Sequence, residues 1–417
     1  MTQRIALDQI IEAAPARVVV TQDASGRVTE AEFDLSGLPR VDAALVRRPV
    51  MEVPSLVERL CSICPTAHHL AGMRALESLA GLGELPPTAQ KVRRLLHHAG
   101  VIGNHVMGLI STDPDEALVL RRFSKSAMAA VGSPGHFPVT AVPGGVRAPA
   151  DPDLVRACGE LVEGALAAAR RVAERGLATP VRMDHFDGAD VALIDEDGSL
   201  DLFGETLRAV ASDGTLVIES AHADGWDGLV AEADPGAPNP RPYLIPLGPG
   251  SGAYRVGPVA GLRVGPVSTP IAADLQQSWH SHHGGAHAAR AIIVVHCVEV
   301  IASLLADPEL TAGPVALPWP AHLGSGTGVG WVDGARGLLV HRYAIDNNDR
   351  VTSATILTPT AQNESWLGDL LRTAAGATSE QAVRAQMEDA IREADPCLPC
   401  SAAPAGTMDL DIDQKGA

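Results

Sequence analysis

The sequence predicts an α+β fold: a predominantly helical core arranged as a bundle, an N-terminal hairpin sheet and a strand-rich insert at about residues 186–265, all in one domain spanning residues 1–417. Three observations carry that prediction. Long stretches repeat apolar residues every three or four positions, two other regions show short apolar runs between turn residues, and 417 residues that are 46% hydrophobic can bury a sizeable core.

Each element follows from local chemistry. "ARVVVTQD", the turn "ASGR" and "VTEAEFDL" read as a hairpin, with apolar residues alternating on either side of small and polar ones. From Val57 to about Leu109 the period becomes helical: "AHHLAGMRALESLAGLG" closes at glycines, and "TAQKVRRLLHHAGVIGNHVMGLI" keeps an apolar stripe. The Gly/Pro-rich "GSPGHFPVTAVPGGV", residues 132–146, is expected to be a loop, followed by a helix around Asp153 to Gly176. In the insert, "VALIDEDGSLDLFGETLRAVASDGTLVIES" breaks short apolar runs at Asp-Gly turns. A long helix covers about His287 to Ala306, strands return in "ARGLLVHRYAID" and "RVTSATILTP", and a last helix runs near Ser379 to Glu393.

Thirty-two Lys and Arg against 50 Asp and Glu give a net charge of −18, which disfavours nucleic acid or an anionic membrane as partner and suits a soluble cytoplasmic protein. The N-terminus has no basic segment leading into a long apolar run with a cleavage site, so no secretory signal is readable. Ala286 to Ala306 is the most apolar stretch, but Arg290, His296 and Glu299 within it favour a buried helix over a membrane span. Six cysteines are too few for a disulfide scaffold, and four of them form two Cys-x-x-Cys pairs.

The pairs stand in "RLCSICPTAHH", residues 59–69, and "ADPCLPCSAA", residues 394–403. Either alone fits a redox dithiol, and the two together fit structural zinc, although zinc modules usually keep their pairs about 15–20 residues apart. Here they lie at opposite ends of the chain, and one site tying them together implies that both segments line one interior chamber. Four thiolates select soft metals, and can hold a nickel or share two sulfurs between neighbouring metals.

These residues give the chain its resemblance to the large subunit of nickel-iron hydrogenases. Arg59, Cys61, Cys64 and His68 match that family's N-terminal motif, with Ser62 in place of a glycine, and Asp395, Pro396, Cys397 and Cys400 match the C-terminal one. The segments "PVTAVPGGV", "AYRVGPVAGLRV", "RAIIVVHCVEVIASLLADPE", "DGARGLLVHRY" and "LTPTAQN" are similar to family segments in family order, so the resemblance spans essentially the whole chain. The compact length and the insert look most like the cytosolic, cofactor-linked bidirectional group.

The resemblance implies a large-subunit fold and reversible heterolytic cleavage of dihydrogen at a nickel-iron centre. It makes Cys61 and Cys397 terminal nickel ligands, Cys64 and Cys400 bridges to an iron carrying carbon monoxide and cyanide, and Arg336 the guanidinium beside a cyanide. Pro359 and Thr360 would line the iron's other ligands, and His68 would donate to a bridging sulfur. Glu12 aligns with a proton-relaying glutamate, although Ala13 and Ala14 replace the glycine and histidine after it. Asp42 falls where the family has a magnesium-binding glutamate, with the Ile356 carbonyl as a second ligand. The third, a histidine three after Cys400, is Ala403, which also removes the residue after which a maturation protease cuts.

Only Cys158 and Cys297 remain, too few for a cysteine-bound relay of clusters, so an iron-sulfur small subunit is the implied partner, with diaphorase-type subunits beyond it. Two competing readings stay open: a hydrogenase-like non-catalytic or sensory subunit, and a zinc-bound structural relic related to the quinone-site subunit of respiratory complex I. The tail "PAGTMDLDIDQKGA" begins with Pro404, which makes the Ala403–Pro404 bond a poor protease substrate. Met408, Leu410 and Ile412 alternate as a short strand expected to pack back on the body of a chain that keeps its tail.

Overall fold

The computed structural model describes residues 16–24, 27–36, 41–179, 186–237, 239–282, 284–377, 379–398, 401, 403 and 406–416. Helices Pro87–Leu109, Pro114–Ala130, Val162–Ala178 and Ala286–Leu305 pack on one another and form the helical core expected from the 3.6-residue period. Ala286–Leu305 is long and apolar enough to cross a membrane, yet most of it is buried in protein. Its charges are each engaged. Arg290 donates to the Glu393 and Arg392 carbonyls, and Glu299 accepts the Ile271 and Ala272 N–H groups in the first turn of the helix Pro270–His282.

Among the described residues, three sheets of three or four strands flank this core. The expected hairpin forms from Ala16–Gln22 and Val28–Phe33, and the tail strand Leu410–Gly416 joins it, parallel to Ala16–Gln22. Met408 and Leu410 are buried and Ile412 half-buried, as their alternation predicts. The insert forms a sheet of Tyr254–Val256, Ala189–Ile194, Thr206–Val210 and Leu216–Ala221. Its apolar side shares a second core with Val329, Trp331, Leu338 and Val340 from the third sheet.

That third sheet, Gly326–Gly334, Gly337–Ile345 and Val351–Leu357, is what brings the functional residues together. Its first strand, "GTGVGWVDG", escaped prediction because glycines occupy alternate positions where apolar side chains would signal a strand. The bare face has a purpose: a Cβ on Gly330 would stand 2.3 Å from the Ala75 nitrogen, and one on Gly328 2.4 Å from the Ala75 carbonyl oxygen. The helix Pro65–Leu79 therefore lies directly on the strand.

Other departures have local causes. The helix expected from Asp153 to Gly176 is two, Pro152–Gly159 and Val162–Ala178. The loop of residues 132–146 contains a small hairpin, Ala141–Val142 with Gly145–Val146, held by a buried pair. Arg93 reaches Glu77 at 2.8 and 2.5 Å and the Gly145 carbonyl at 3.0 Å, while Glu77 accepts the Gly144 N–H. Pro114–Ala130, Pro270–His282 and Glu364–Ala375 are helices that the apolar pattern alone did not reveal.

His98 and His296 meet between the helices Pro87–Leu109 and Ala286–Leu305, and His97 is buried beside Phe203 and the Asp333 carbonyl; burial pushes His97 and His296 down to about 4 and His98 well below the usual imidazole value. The folded state disfavours their protonated forms, so the stability they allow is complete above about pH 6.5 and is lost as pH falls to about 4, by about 3 kcal/mol for each of His97 and His296. Asp333, raised to about 7 by burial, acts in the opposite sense over the same window and offsets about 4 kcal/mol. The net expectation is a melting temperature that falls on acidification from pH 6.5 to 4.5. A flat calorimetric profile across that range would show that these histidines are not held neutral.

Candidate metal centre

The first cysteine pair spans a break between two helices. Val53–Leu60 ends at Cys61, whose N–H still bonds the Val57 carbonyl, and Cys64 is the N-cap of Pro65–Leu79 with Pro65 in the first turn. A thiolate at a helix N-terminus sits at the positive end of the dipole. His68 lies one turn further on, its N–H bonded to the Cys64 carbonyl. At the other end of the chain, the helix Glu380–Ala394 stops at Asp395, which takes a left-handed φ of 47°, and Pro396 prevents its continuation. Cys397 follows, with its N–H donated to Thr360 Oγ1 at 2.8 Å.

The fold thus joins the two chain ends. Cys61 Sγ lies 3.3 Å from Cys64 Sγ, which lies 3.6 Å from Cys397 Sγ, and a ring nitrogen of His68 falls within 4.8 Å of the Cys61 and Cys64 sulfurs. Without a cation, sulfurs this close cannot all carry charge. Bonds from Cys397 and Cys64 hold Cys61 far below the usual thiol range, whereas Cys397 and Cys61 push Cys64 up, and Cys397 rises to about 12 through its contact with Cys61. A soft divalent metal would relieve that conflict, so the donor set fits a thiolate-bound metal.

Arg336 stands over the same place, in the two-residue turn between Gly326–Gly334 and Gly337–Ile345. Gly337 (φ 124°) and Gly257 (φ 101°) let the turn pack tightly: a Cβ on Gly257 would lie 2.6 Å from the Arg336 carbonyl oxygen. The guanidinium donates to the Asp395 carbonyl at 3.1 Å, the Asp395 carboxylate at 3.2 Å and Asn104 at 3.5 Å. Burial opposes its charge, but Asp395, Cys397 and Cys64 more than offset this and raise its pKa. A cavity of about 480 Å³ opens here, lined by Asp42, Cys61, His68, Arg336, Pro359 and Thr360 among others.

The structure therefore gathers Cys61, Cys64, Cys397, His68, Arg336, Pro359 and Thr360 in one place. Glu12 and Cys400 lie outside the described residues. Asp42 and Ile356 do meet, but through the Ile356 N–H, which donates to Asp42 Oδ1 at 3.3 Å. Ala403 lines a different cavity, on the far side of Arg336 and Asp395. Among the described residues, Cys61, Cys64 and His68 are the one cluster of three side chains close enough to share a metal ion.

Sequence reasoning missed what surrounds these residues. Asp395 was read as motif but not as the partner of Arg336, and neither His341 nor Tyr343 drew attention. The signal for the latter two was present: a histidine and a tyrosine two apart on a strand share a face, opposite alternate glycines of the neighbouring strand.

Comparison with known proteins agrees with this geometry. The model of the nickel-dependent hydrogenase family matches residues 41–109. The chain is 27% identical to the NAD-reducing hydrogenase HoxS subunit beta of Cupriavidus necator, over 99% of this chain and 97% of that one. It is also 27% identical to a chain of the vhu F420-non-reducing hydrogenase of Methanocaldococcus jannaschii, over 86% of this chain and 95% of that one. Among solved structures, an NAD+-reducing [NiFe]-hydrogenase in the H2-reduced state superposes with a TM-score of 0.79 at 29% identity, covering 92% of this chain and 95% of that one. The oxidised Ni-Fe-Se hydrogenase of Desulfovibrio vulgaris Hildenborough shares the fold, with a TM-score of 0.67 at 19% identity over 90% of this chain and 95% of that one.

Proposed function

We infer that this chain, which belongs to the nickel-dependent hydrogenase family, is the catalytic subunit of a nickel-iron hydrogenase that cleaves dihydrogen heterolytically and reversibly. The observation that carries the reading is the meeting of Cys61, Cys64 and Cys397 beneath Arg336, from opposite ends of the chain. When bound, the nickel-iron pair supplies the Lewis acid and redox centre at which dihydrogen is polarised. Cys61, Cys64, Cys397 and Cys400 are assigned as the residues that would hold the two metals.

The chain's own residues supply the rest. A terminal thiolate, that of Cys397, is the base that receives the proton, and Glu12 is assigned as its onward relay by the resemblance of its segment. Arg336 offers a fixed cationic fork to an anionic cyanide, expected on iron together with neutral carbon monoxide. Thr360 already accepts the Cys397 N–H, so its hydroxyl hydrogen is left to donate into the cavity beside Pro359.

Electrons must leave through a partner. Cys158 and Cys297 are buried thiols that cannot complete a cluster here, so we assign an iron-sulfur small subunit, and diaphorase-type subunits that make the enzyme NAD(P)-linked, in line with the NAD-reducing relatives. A cytoplasmic location accords with the net charge of −18. The test is hydrogen-dependent reduction of a viologen dye by the complex made with its maturation machinery, together with metal analysis and infrared detection of bound carbon monoxide and cyanide. About one nickel and one iron per chain are expected. Stoichiometric zinc with nickel absent would instead support a structural relic.

We also assign the tail as a permanent part of the fold. Arg384 donates to the Leu410 and Met408 carbonyls, Glu388 accepts the Gly406 N–H, and Arg17 pairs with Asp413 across the parallel strands. Removing it would take the buried Met408 and Leu410 out of the core and unpair Ala16–Gln22 along one edge. Intact mass spectrometry of the active complex is expected to find the segment after Ala403 still attached. A chain ending at Ala403 would make the tail a maturation handle only.

A further inference from the structure

We infer that His341 and Tyr343 are positioning residues, which hold His68 in the tautomer that carries its proton on Nε2 and presents it to the cysteine sulfurs. The proposal rests on the reading of those cysteines as metal ligands and concerns what stands behind them. Tyr343 Oη lies 2.5 Å from His341 Nδ1, and His341 Nε2 lies 2.9 Å from His68 Nδ1. Tyr343 and His341 are fully buried, and His68 is 2% exposed. The three residues form one unbranched chain from the interior to the sulfurs.

The backbone makes the chain possible. His341 and Tyr343 alternate along Gly337–Ile345 and so face the same side, directly opposite Gly330 and Gly328. Because those glycines carry no side chains, the helix Pro65–Leu79 settles on the sheet and lowers His68 onto His341. Burial, then the neighbouring His68, pushes His341 well below the usual imidazole range, so it is neutral. With both imidazoles neutral, each donates from one nitrogen and accepts at the other, and the chain runs in one of two directions.

In the first, the phenol O–H donates to His341 Nδ1, His341 Nε2–H donates to His68 Nδ1, and the His68 proton is on Nε2. Every group then has a partner. In the second, His68 Nδ1–H donates inward and His341 Nδ1–H donates to the phenol oxygen. The phenol hydrogen then lacks an acceptor, since Tyr343 Oη makes no second hydrogen bond among the described residues. A buried hydroxyl left unpaired costs about 1–3 kcal/mol. The second direction also turns the bare Nε2 lone pair toward sulfurs that carry negative charge. Both effects favour the first. An N–H aimed at a thiolate withdraws charge from the sulfur, so the chain sets the donor strength of the cysteines from a distance.

Two measurements test this. Neutron diffraction from crystals of the deuterium-exchanged complex is expected to show deuterium on His68 Nε2 and on Tyr343 Oη; deuterium on His68 Nδ1 would overturn the assignment. Tyr343→Phe preserves the ring and removes only the donor farthest from the sulfurs, so it should keep full metal content while shifting the stretching bands of the iron-bound diatomics and lowering kcat about 10-fold. His341→Phe, which cuts the chain one link nearer, should shift them further. Bands that stay in place in both variants would reduce His341 and Tyr343 to packing. If the wild-type complex shows no such bands, the hydrogenase reading fails by itself, while the neutron map still decides the tautomer.

Discussion

Replacing Cys397 with serine is expected to abolish nickel binding and hydrogen-dependent dye reduction while leaving the protein folded. Cys397 is one of three described sulfurs that converge within 3.6 Å contacts, and serine substitutes a hard, weakly acidic hydroxyl for a soft thiolate. The backbone should not notice the change, because the Cys397 N–H that bonds Thr360 Oγ1 is retained. Nickel should fall from about one per chain to the background of the measurement, with the iron-sulfur subunit still copurifying. Nickel retained at wild-type level in Cys397→Ser would remove this cysteine from the ligand set and with it the central assignment.

Arg336→Lys is expected to keep the metals and lose about 10²–10³ in turnover. Lysine preserves the charge but not the planar fork that reaches the Asp395 carbonyl, the Asp395 carboxylate and Asn104 together. An ammonium carries its three donors on one nitrogen and cannot span acceptors that the guanidinium reaches from three, so the charge is poorly placed over the site. The loss should appear in kcat, since the guanidinium is not required to bind so small a substrate. Wild-type turnover in the lysine variant would exclude Arg336 from the active site.

Much of the site was legible in the chain because its signals are local. The spacing of Cys61 and Cys64, the Asp395–Pro396 stop before Cys397 and the alternation of Met408, Leu410 and Ile412 are each dictated by a few neighbouring residues, and the structure places all of the described ones where that chemistry requires. Magnesium was a weaker inference, resting on the resemblance of Asp42 and Ile356 to family ligand positions, which requires the two to lie near each other. They do, but the amide rather than the carbonyl faces the carboxylate, and Ala403 is elsewhere.

Residue types and short-range spacing determined by themselves that this chain has a helical core, a terminal hairpin and two dithiol motifs fit for a soft metal. Only the tertiary structure decided that Arg336 answers to Asp395, that glycines at alternate positions of Gly326–Gly334 admit a helix, and that Tyr343, His341 and His68 form one chain. The physical reason is distance along the chain. Periodicity and capping act over a few residues, whereas a hydrogen bond between residues 68 and 341 exists only after two elements have packed, and the glycines that permit that packing leave no apolar pattern to read.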